Sequence, residues 1–421
     1  MKKWFAIALA VLVAVSAGYS GVRAASTTRA PVAAVTLTYA FWDVHQEPGM
    51  RQIADAFEKS HSNVKIQFQI TPFGQYFQKL ETQASGGALP DVFWMNGPNF
   101  ALFASNGVLM ALDSQIKAAH INLSNYPSGL VNLYTYKGKH YALAKDFDVI
   151  GLWYNKSLFQ AAHVAYPNSS WTWKTFDAAA KKLTDSSKGV YGFAAYLTSQ
   201  EGYYNTIFQN GGYVISKNKK KSGYDDPRTI GGLKFWTDLI KAKASPTEQQ
   251  MAQTDKDTLF QSGKVAMEFG GDWLAEVFGK NAYTKDKADV AVLPKGKKRA
   301  TVIHGLGNVI AAKTSHPTEA WQFVQFLGSK QAAQILAKTG TVIPAFKGTQ
   351  GPWTTAFPQF HLKNFISELK YTYAYPVSQQ TAKWNDLETK YLTKAWNGDM
   401  SITAAAKQLA ADMNKILAQE K

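Results

Sequence analysis

Apolar and polar positions along this chain switch repeatedly between two periods. Val35-Thr36-Leu37-Thr38-Tyr39-Ala40-Phe41 is a short β-rich run that predicts a buried strand. Met50, Ile53, Ala54 and Phe57 then recur at helical spacing, and Val64, Ile66, Phe68 and Ile70 alternate as a strand does. A helix is expected over Tyr76 to Ser85, stopped by Gly86-Gly87, with a strand at Asp91 to Met95. This strand–helix–strand alternation predicts an α/β chain with mostly parallel sheets flanked by helices. In such folds ligands sit beyond the carboxyl ends of the strands.

Tyr141 to Tyr154 is a long run that holds Asp146, Asp148 and Gly151, and it suits an extended crossing between two lobes. A second α/β region follows, with helices expected near Trp173–Leu183 and Thr229–Lys241 and a strand over Val302 to Ala311. Helices are expected from about Pro317 to Lys338. Ile402, Ala405, Ala406, Leu409, Met413, Ile416 and Leu417 share one face of a last helix, a core-packing stripe. Lys217-Asn218-Lys219-Lys220-Lys221 lies between Val214-Ile215 and Gly223 and reads as a solvated turn.

The N-terminus follows a different pattern. Lys2 and Lys3 precede an apolar run from Trp4 to Ser16, and Val22-Arg23-Ala24 supplies small residues for a peptidase. The run is shorter than the about 20 residues a spanning helix needs, so residues 1–24 read as a cleaved secretory signal and 25–34 as a linker. No later stretch reaches about 18 consecutive apolar residues, so no membrane-spanning helix is expected beyond the signal.

At 421 residues the chain is long enough for about two domains. Net charge is +16, and loss of Lys2, Lys3 and Arg23 with the signal leaves +13. The positive charge is scattered, and with an export signal it suits an anionic cell-wall surface or an acidic surrounding better than nucleic acid. There is no cysteine, which excludes disulfides, thiolate metal sites, a Cys nucleophile and a lipidated N-terminal Cys. No phosphate-cradling loop, no His-Glu-x-x-His and no Gly-x-Ser-x-Gly elbow appears. No cofactor, metal ligand or catalytic residue is therefore expected.

Aromatic weight beside small polar groups is what the chain does carry. It has 12 Trp and 20 Tyr. Rings offer flat apolar faces to the C–H faces of sugars, whose hydroxyls need directional partners. Trp42-Asp43, Trp94 to Asn99 and Gly270-Gly271-Asp272-Trp273 each follow an expected strand. A single Trp in such a place is more often core than contact; the recurrence is what points to a ligand.

The stretches Leu89 to Asn99 (LPDVFWMNGPN), Leu152 to Phe159 (LWYNKSLF) and Leu259 to Met267 (LFQSGKVAM) resemble the family 1 extracellular solute-binding proteins, which include the maltose-binding proteins. The likeness runs from about Val35 to the C-terminus. It implies a two-lobed periplasmic-binding-protein-like fold of type 2, with one lobe of 35–145 and 307–350, the other of 149–303 and 351–421, and a hinge between them. It implies a monomer that captures a neutral sugar by hinge closure and hands it to the permease subunits of an ATP-binding-cassette importer. The location implied is the outer face of the bacterial membrane or wall, or the periplasm where there is an outer membrane. The ligand residues it implies are Trp42, Asp43, Asn96, Asn99, Asp148, Tyr203, Tyr204, Asp272, Trp273, Gly307, Asn308 and Trp384, with backbone N–H groups of Gly305 to Asn308 turned to the cleft. Two features depart from the family: no anchoring Cys follows the signal, and Asn96-Gly97-Pro98 stands where some maltose binders carry charged groups.

Two other functions compete. A secreted glycosidase would need two opposed carboxylates roughly 5 to 9.5 Å apart, for which Asp148 and Asp272 are the candidates. The other is the same fold holding a polyamine, metal or peptide, which the aromatic, weakly charged cleft residues disfavour.

Overall fold

The structure is a computed structural model that describes residues 34–420. The expected signal at 1–24 and all but the last residue of the linker lie outside the described residues. In chain order the strands are β1 Val35–Phe41, β2 Val64–Ile70, β3 Val92–Met95, β4 Thr135–Tyr136, β5 Lys139–His140, β6 Ala142–Ala144, β7 Asp146–Asn155, β8 Met267–Gly271, β9 Ala288–Ala291, β10 Thr301–His304, β11 Gly307–Ile310, β12 Ile343–Pro344 and β13 Thr372–Ala374.

The first sheet has the order β2-β1-β3-β11-β6. β1 lies parallel to β2 in a register that runs from Val35 opposite Val64 to Phe41 opposite Ile70. The helix Glu47–Ser60 joins them and buries Met50, Ile53, Ala54 and Phe57, the positions its spacing selects. The next helix spans Phe73–Ser85 and so starts one turn earlier than expected, at the end of Thr71-Pro72. Asn96 caps the helix Gly97–Ser105, its side chain accepting from the Asn99 N–H.

The second sheet is organised around β7, whose ten residues are all buried. β8, β9, β10 and β12 all pair with it antiparallel, and only β10 with β13 is parallel. The sheets are thus mixed, where mostly parallel ones were expected. The physical reason is connection length. A parallel pair needs a crossover of a dozen or more residues, usually a helix, as between β1 and β2. The chain instead passes from one sheet to the other in very short steps, one residue between β6 and β7 and two between β10 and β11. β12 lies within the stretch expected in the first lobe, yet it pairs with β7 in the second sheet.

The strand expected over Val302 to Ala311 is two strands in different sheets, broken at Gly305-Leu306. Gly305 is needed there, because a Cβ would fall 2.3 Å from the Asp146 carbonyl oxygen. The remaining helices follow the periodicity closely, at Trp173–Leu183, Pro227–Lys241 and Ile402–Gln419. The expected 317–338 segment is two helices, Pro317–Leu327 and Lys330–Thr339, divided at Gly328-Ser329, with Ser329 capping the second.

The steps between sheets are pinned together at Lys145 and Asp146, both almost wholly buried. The Lys145 N–H donates to the Leu306 carbonyl at 2.8 Å, and the Lys145 carbonyl accepts from the Ala345 N–H at 3.0 Å. Asp146 Oδ1 accepts from the Leu306 N–H at 2.8 Å. Lys145 Nζ donates to Asp146 Oδ2 and to Gln46 Oε1, and lies 4.2 Å from the centre of the Trp94 ring. Burial pushes the Asp146 carboxyl up, against the pull of the Lys145 ammonium. Removing one partner of such a pair leaves a buried charge uncompensated. Lys145→Met is therefore expected to destabilise the protein by about 3–5 kcal/mol in urea unfolding. The double variant Lys145→Met/Asp146→Asn should recover part of that loss; a double variant less stable than the single one would show that the pair is not what holds the crossing.

Candidate functional site: an aromatic cleft between the sheets

A cleft of about 370 Å³ opens between the two sheets. Its floor is made by the crossings themselves, through Asp146, Leu306 and Val342, and its walls carry four rings, Trp42, Phe73, Trp273 and Tyr375. Trp42 follows β1. Its ring is braced by Phe73, Tyr76, Phe77 and Trp94 with centroids 5.0–5.9 Å away. Trp273 follows β8 and packs against apolar clusters of both sheets. Its ring lies over Gly271, where a Cβ would come within 2.0 Å of it. Phe73 is 57% exposed, so it presents a bare ring at the rim.

The polar groups are few and held in place. Asp148 Oδ2 faces Gln200 Nε2 at 3.3 Å and His304 Nδ1 at 3.4 Å. His304 Nε2 accepts from the Gly97 N–H at 3.0 Å. A backbone N–H can only donate, so the neutral imidazole carries its proton on Nδ1, toward Asp148. His304 thereby ties β10 to the start of the helix Gly97–Ser105 across the cleft. Asp43 accepts from the His45 N–H at 2.9 Å and from Gln46 Nε2 at 2.8 Å. Tyr375 OH lies 3.2 Å from Ser199 Oγ and accepts from Asn385 Nδ2 at 3.3 Å.

Of the twelve expected ligand residues, the structure brings Trp42, Asp43, Asn96, Asp148 and Trp273 to the cleft wall. The other seven do not line it. Asn99 sits behind Asn96, donating to its Oδ1 at 2.9 Å. Asp272 is fully buried, with Oδ1 accepting from the Val149 N–H at 3.0 Å. Burial, with repulsion from Asp148 and Asp146, holds its carboxyl well above the usual range. It acts as a brace for β7, and it does not face Asp148 across the cleft as a glycosidase pair would. Asn308 is buried in the first sheet, where its Oδ1 accepts from Tyr39 OH at 2.7 Å, and Tyr39 OH accepts from Trp94 Nε1 at 2.6 Å. Gly307 is taken up in β11, between Met95 and Ala144. The N–H of Leu306, expected to face the cleft, is used by Asp146. Trp384 is fully buried and donates to Ser378 Oγ at 2.8 Å.

Tyr203 and Tyr204 turn away from the cleft toward a buried carboxylate. Both hydroxyls donate to Glu388, at 3.0 and 2.8 Å, and Tyr224 OH and Asn385 Nδ2 donate to it as well. Burial pushes the Glu388 carboxyl up to about 7, against these four donors. The cleft residues that sequence reasoning missed include His304, Tyr375, Gln200 and Phe73. Two signals for them stood in the sequence: Phe73 follows the end of β2, and His304 ends a strand beside Gly305. Tyr375 and Gln200 lie in irregular stretches that carry no comparable mark. Among the described residues no group of His, Cys, Asp or Glu is arranged to hold a metal ion.

With this geometry in hand, comparison with known proteins is informative. Residues 43–334 match the family of bacterial extracellular solute-binding proteins. A maltooligosaccharide ABC transporter solute-binding lipoprotein of Streptococcus pneumoniae is 25% identical, over 88% of this chain and 86% of its own. An ABC substrate-binding protein of Listeria monocytogenes, solved in complex with cycloalternan, is 28% identical with a TM-score of 0.86, over 91% of this chain and 99% of that one. A substrate-binding protein of Thermotoga lettingae, solved with α-D-tagatose, is 25% identical with a TM-score of 0.79, over 91% of this chain and the whole of that one.

Glu388 gives a testable consequence. A carboxyl whose folded pKa is raised contributes stability that is fully present below its unfolded value and is lost as pH rises through the folded one. The window here runs from about 4.5 to about 7. The shift corresponds to a loss on the order of 3 kcal/mol across it. Glu388→Gln should flatten that part of the stability curve when melting is followed from pH 4 to 8. An unchanged slope would place the titration elsewhere.

Proposed function

The chain belongs to the bacterial extracellular solute-binding proteins, and we propose that it captures a neutral oligosaccharide in the inter-sheet cleft and delivers it to the membrane permease of an ATP-binding-cassette importer. The observation that carries this reading is the cleft itself: four rings, two of them Trp, around a small set of oriented polar groups. Pockets that are mostly apolar with a few placed polar groups suit small ligands. Rings stack on sugar faces, Asp148 and Asp43 offer acceptors for hydroxyl protons, and Asn96, its Oδ1 taken up by Asn99, offers its Nδ2 as a donor. The relatives from S. pneumoniae and L. monocytogenes support it, since both are described with oligosaccharides.

The chain breaks no bond in this reading. The lobes, about 35–145 with 307–350 and 149–303 with 351–421 apart from β12, close about the short crossings. A ligand that touches both lobes favours the closed form by its preference for it. Trp42, Asn96 and Asp43 would hold the sugar from the first lobe, and Trp273 and Asp148 from the second. The protein would act as a monomer at the outer face of the cell, and its excess positive charge would hold it at an anionic surface without a lipidated Cys.

A thermal-shift panel of sugars is the direct test, because a ligand that binds only the folded state raises the melting temperature. At least one sugar should do so; a panel with no effect would reject the reading. Trp273→Ala and Asp148→Asn should each weaken that sugar by about ten- to a hundredfold in calorimetry, the loss of a stacked ring or a charge-assisted hydrogen bond. Both variants should remain folded, Trp273→Ala melting lower because its ring also packs against the apolar clusters, whereas unchanged affinity would remove both residues from the site. Saturating sugar should also reduce the radius of gyration in small-angle scattering. An identical curve with binding confirmed would reject closure.

A further inference from the structure

Behind the wall of the main cleft one buried ammonium serves three carboxylates. Lys256 opens the helix Lys256–Gln261, and its side chain is 5% exposed. Its Nζ donates to Asp257 Oδ1 and lies 3.2 Å from Glu201 Oε1 and 3.7 Å from Glu268 Oε1. Among the described residues no other lysine or arginine forms an ion pair with any of the three. Glu201 belongs to the turn Ser199–Tyr203 and lines the cleft beside Ser199 and Gln200, with its side chain 17% exposed. Glu268 lies on β8 with its side chain wholly buried.

A lysine present only to offset buried charge would bond the carboxylate most removed from water, since that one costs most to leave alone. Lys256 does the reverse. Both oxygens of Glu268 are buried without a hydrogen-bond partner. Burial holds that carboxyl well above the usual range, which favours its uncharged form. The ammonium sits instead against the two carboxylates that reach cavities, Glu201 in the main cleft and Asp257 in the neighbouring one that shares Trp42, Asp43 and Trp273. Against the cost of burial, the three carboxylates keep Lys256 charged well above its ordinary value. Burial also pushes the Glu201 carboxyl up, and the Lys256 ammonium is the main pull against it.

We infer that Lys256 is a positioning residue for ligand capture: from behind the wall it fixes the Glu201 carboxylate as a charged acceptor for sugar hydroxyls in the main cleft. The inference rests on the sugar-capture reading above and adds to it a residue that the ligand does not touch. An ionised acceptor forms a shorter, stronger hydrogen bond than a neutral one. A carboxylate that a bound sugar cuts off from water stays ionised only beside a cation. Without Lys256, Glu201 would take up a proton and keep only the weaker bond. The other titratable groups packed around it are Asp257 and Glu268, with Tyr196, Asp255 and Glu248 beyond them. All of these are acids, so none of them can replace the ammonium.

Calorimetry with maltotriose, diacetylchitobiose and cycloalternan tests it on wild type, Lys256→Met, Glu201→Gln and the double variant. At neutral pH each single change should weaken the sugar that wild type binds by about tenfold or more. The double variant should be no weaker than Glu201→Gln alone, since both changes remove one interaction. Asp43, Asp146, Asp148 and His304 line the same cleft and titrate too, so the pH profile is read as the affinity ratio to the matching Glu201→Gln protein. In wild type that advantage should fade as pH falls through the Glu201 titration, and in the Lys256→Met background it should fade at a higher pH. Should Lys256→Met fail to fold, Lys256→Gln/Glu268→Gln takes its place, removing the ammonium together with the wholly buried carboxyl. A lower melting temperature with affinity and pH profile unchanged overturns the positioning role and leaves sugar capture standing, as do losses that add in the double variant. Wild type that binds none of the three sugars overturns the capture reading and this role with it.

Discussion

Lys145 is the one-residue step by which the chain leaves its first sheet, and Asp146 is the residue with which it enters its second. Their backbone and side chains contact the other two crossings, at Leu306 and at Ala345. Two charges removed from water are stable together only when each is paired and its remaining hydrogen bonds are met. Here the ammonium has Asp146, Gln46 and the Trp94 face, and the carboxylate has Lys145 and the Leu306 N–H. That mutual dependence confines three separate segments to one place.

The same crossings form the floor of the cleft, because Asp146, Leu306 and Val342 line it. A ligand there would sit directly over short links between the sheets. Rotation about those links would bring Trp42 and Trp273, on opposite sides, toward or away from one sugar. His304 adds a contact of a different kind: it reaches from β10 to the Gly97 N–H and so links the second sheet to the helix that follows β3. Closure then has to keep or replace that bond, and Asp148, which faces the same imidazole, is where a sugar hydroxyl would compete.

Periodicity made most elements legible, down to the bounds of Trp173–Leu183 and the buried stripe of Ile402–Gln419. It missed the break at Gly305-Leu306, because both halves are apolar and only the approach of the Asp146 carbonyl separates them. Trp42 and Trp273 were legible as cleft rings since each follows a strand at a glycine or polar turn. Trp384, Tyr203 and Tyr204 were not, because a ring on a helix looks the same in sequence whether it faces a ligand or the core. What turns the two tyrosines inward is Glu388, 184 positions from Tyr204, a contact that no local pattern announces. The family resemblance carried the fold well and the cleft-lining residues less well, as expected when architecture depends on many positions and a cleft wall on few.

The buried carboxylates also set how stability varies with pH. Glu368 and Glu388 are both pushed up to about 7 by burial, and Asp272, Glu201 and Glu268 are raised too. Each favours the fold when protonated and withdraws that support as pH rises. The carboxylates shifted the other way, Glu58, Asp113, Asp185, Asp226 and Asp412, pair near the surface with Lys65, His140, Lys188, Arg228 and Lys415. They lose their contribution as pH falls, but pairs of that kind are worth little in water. Buried groups therefore outweigh surface ones, and the balance among the acids moves stability toward the acidic side of neutrality. An excess of lysine and arginine works against this only through repulsion among scattered surface charges, which salt screens.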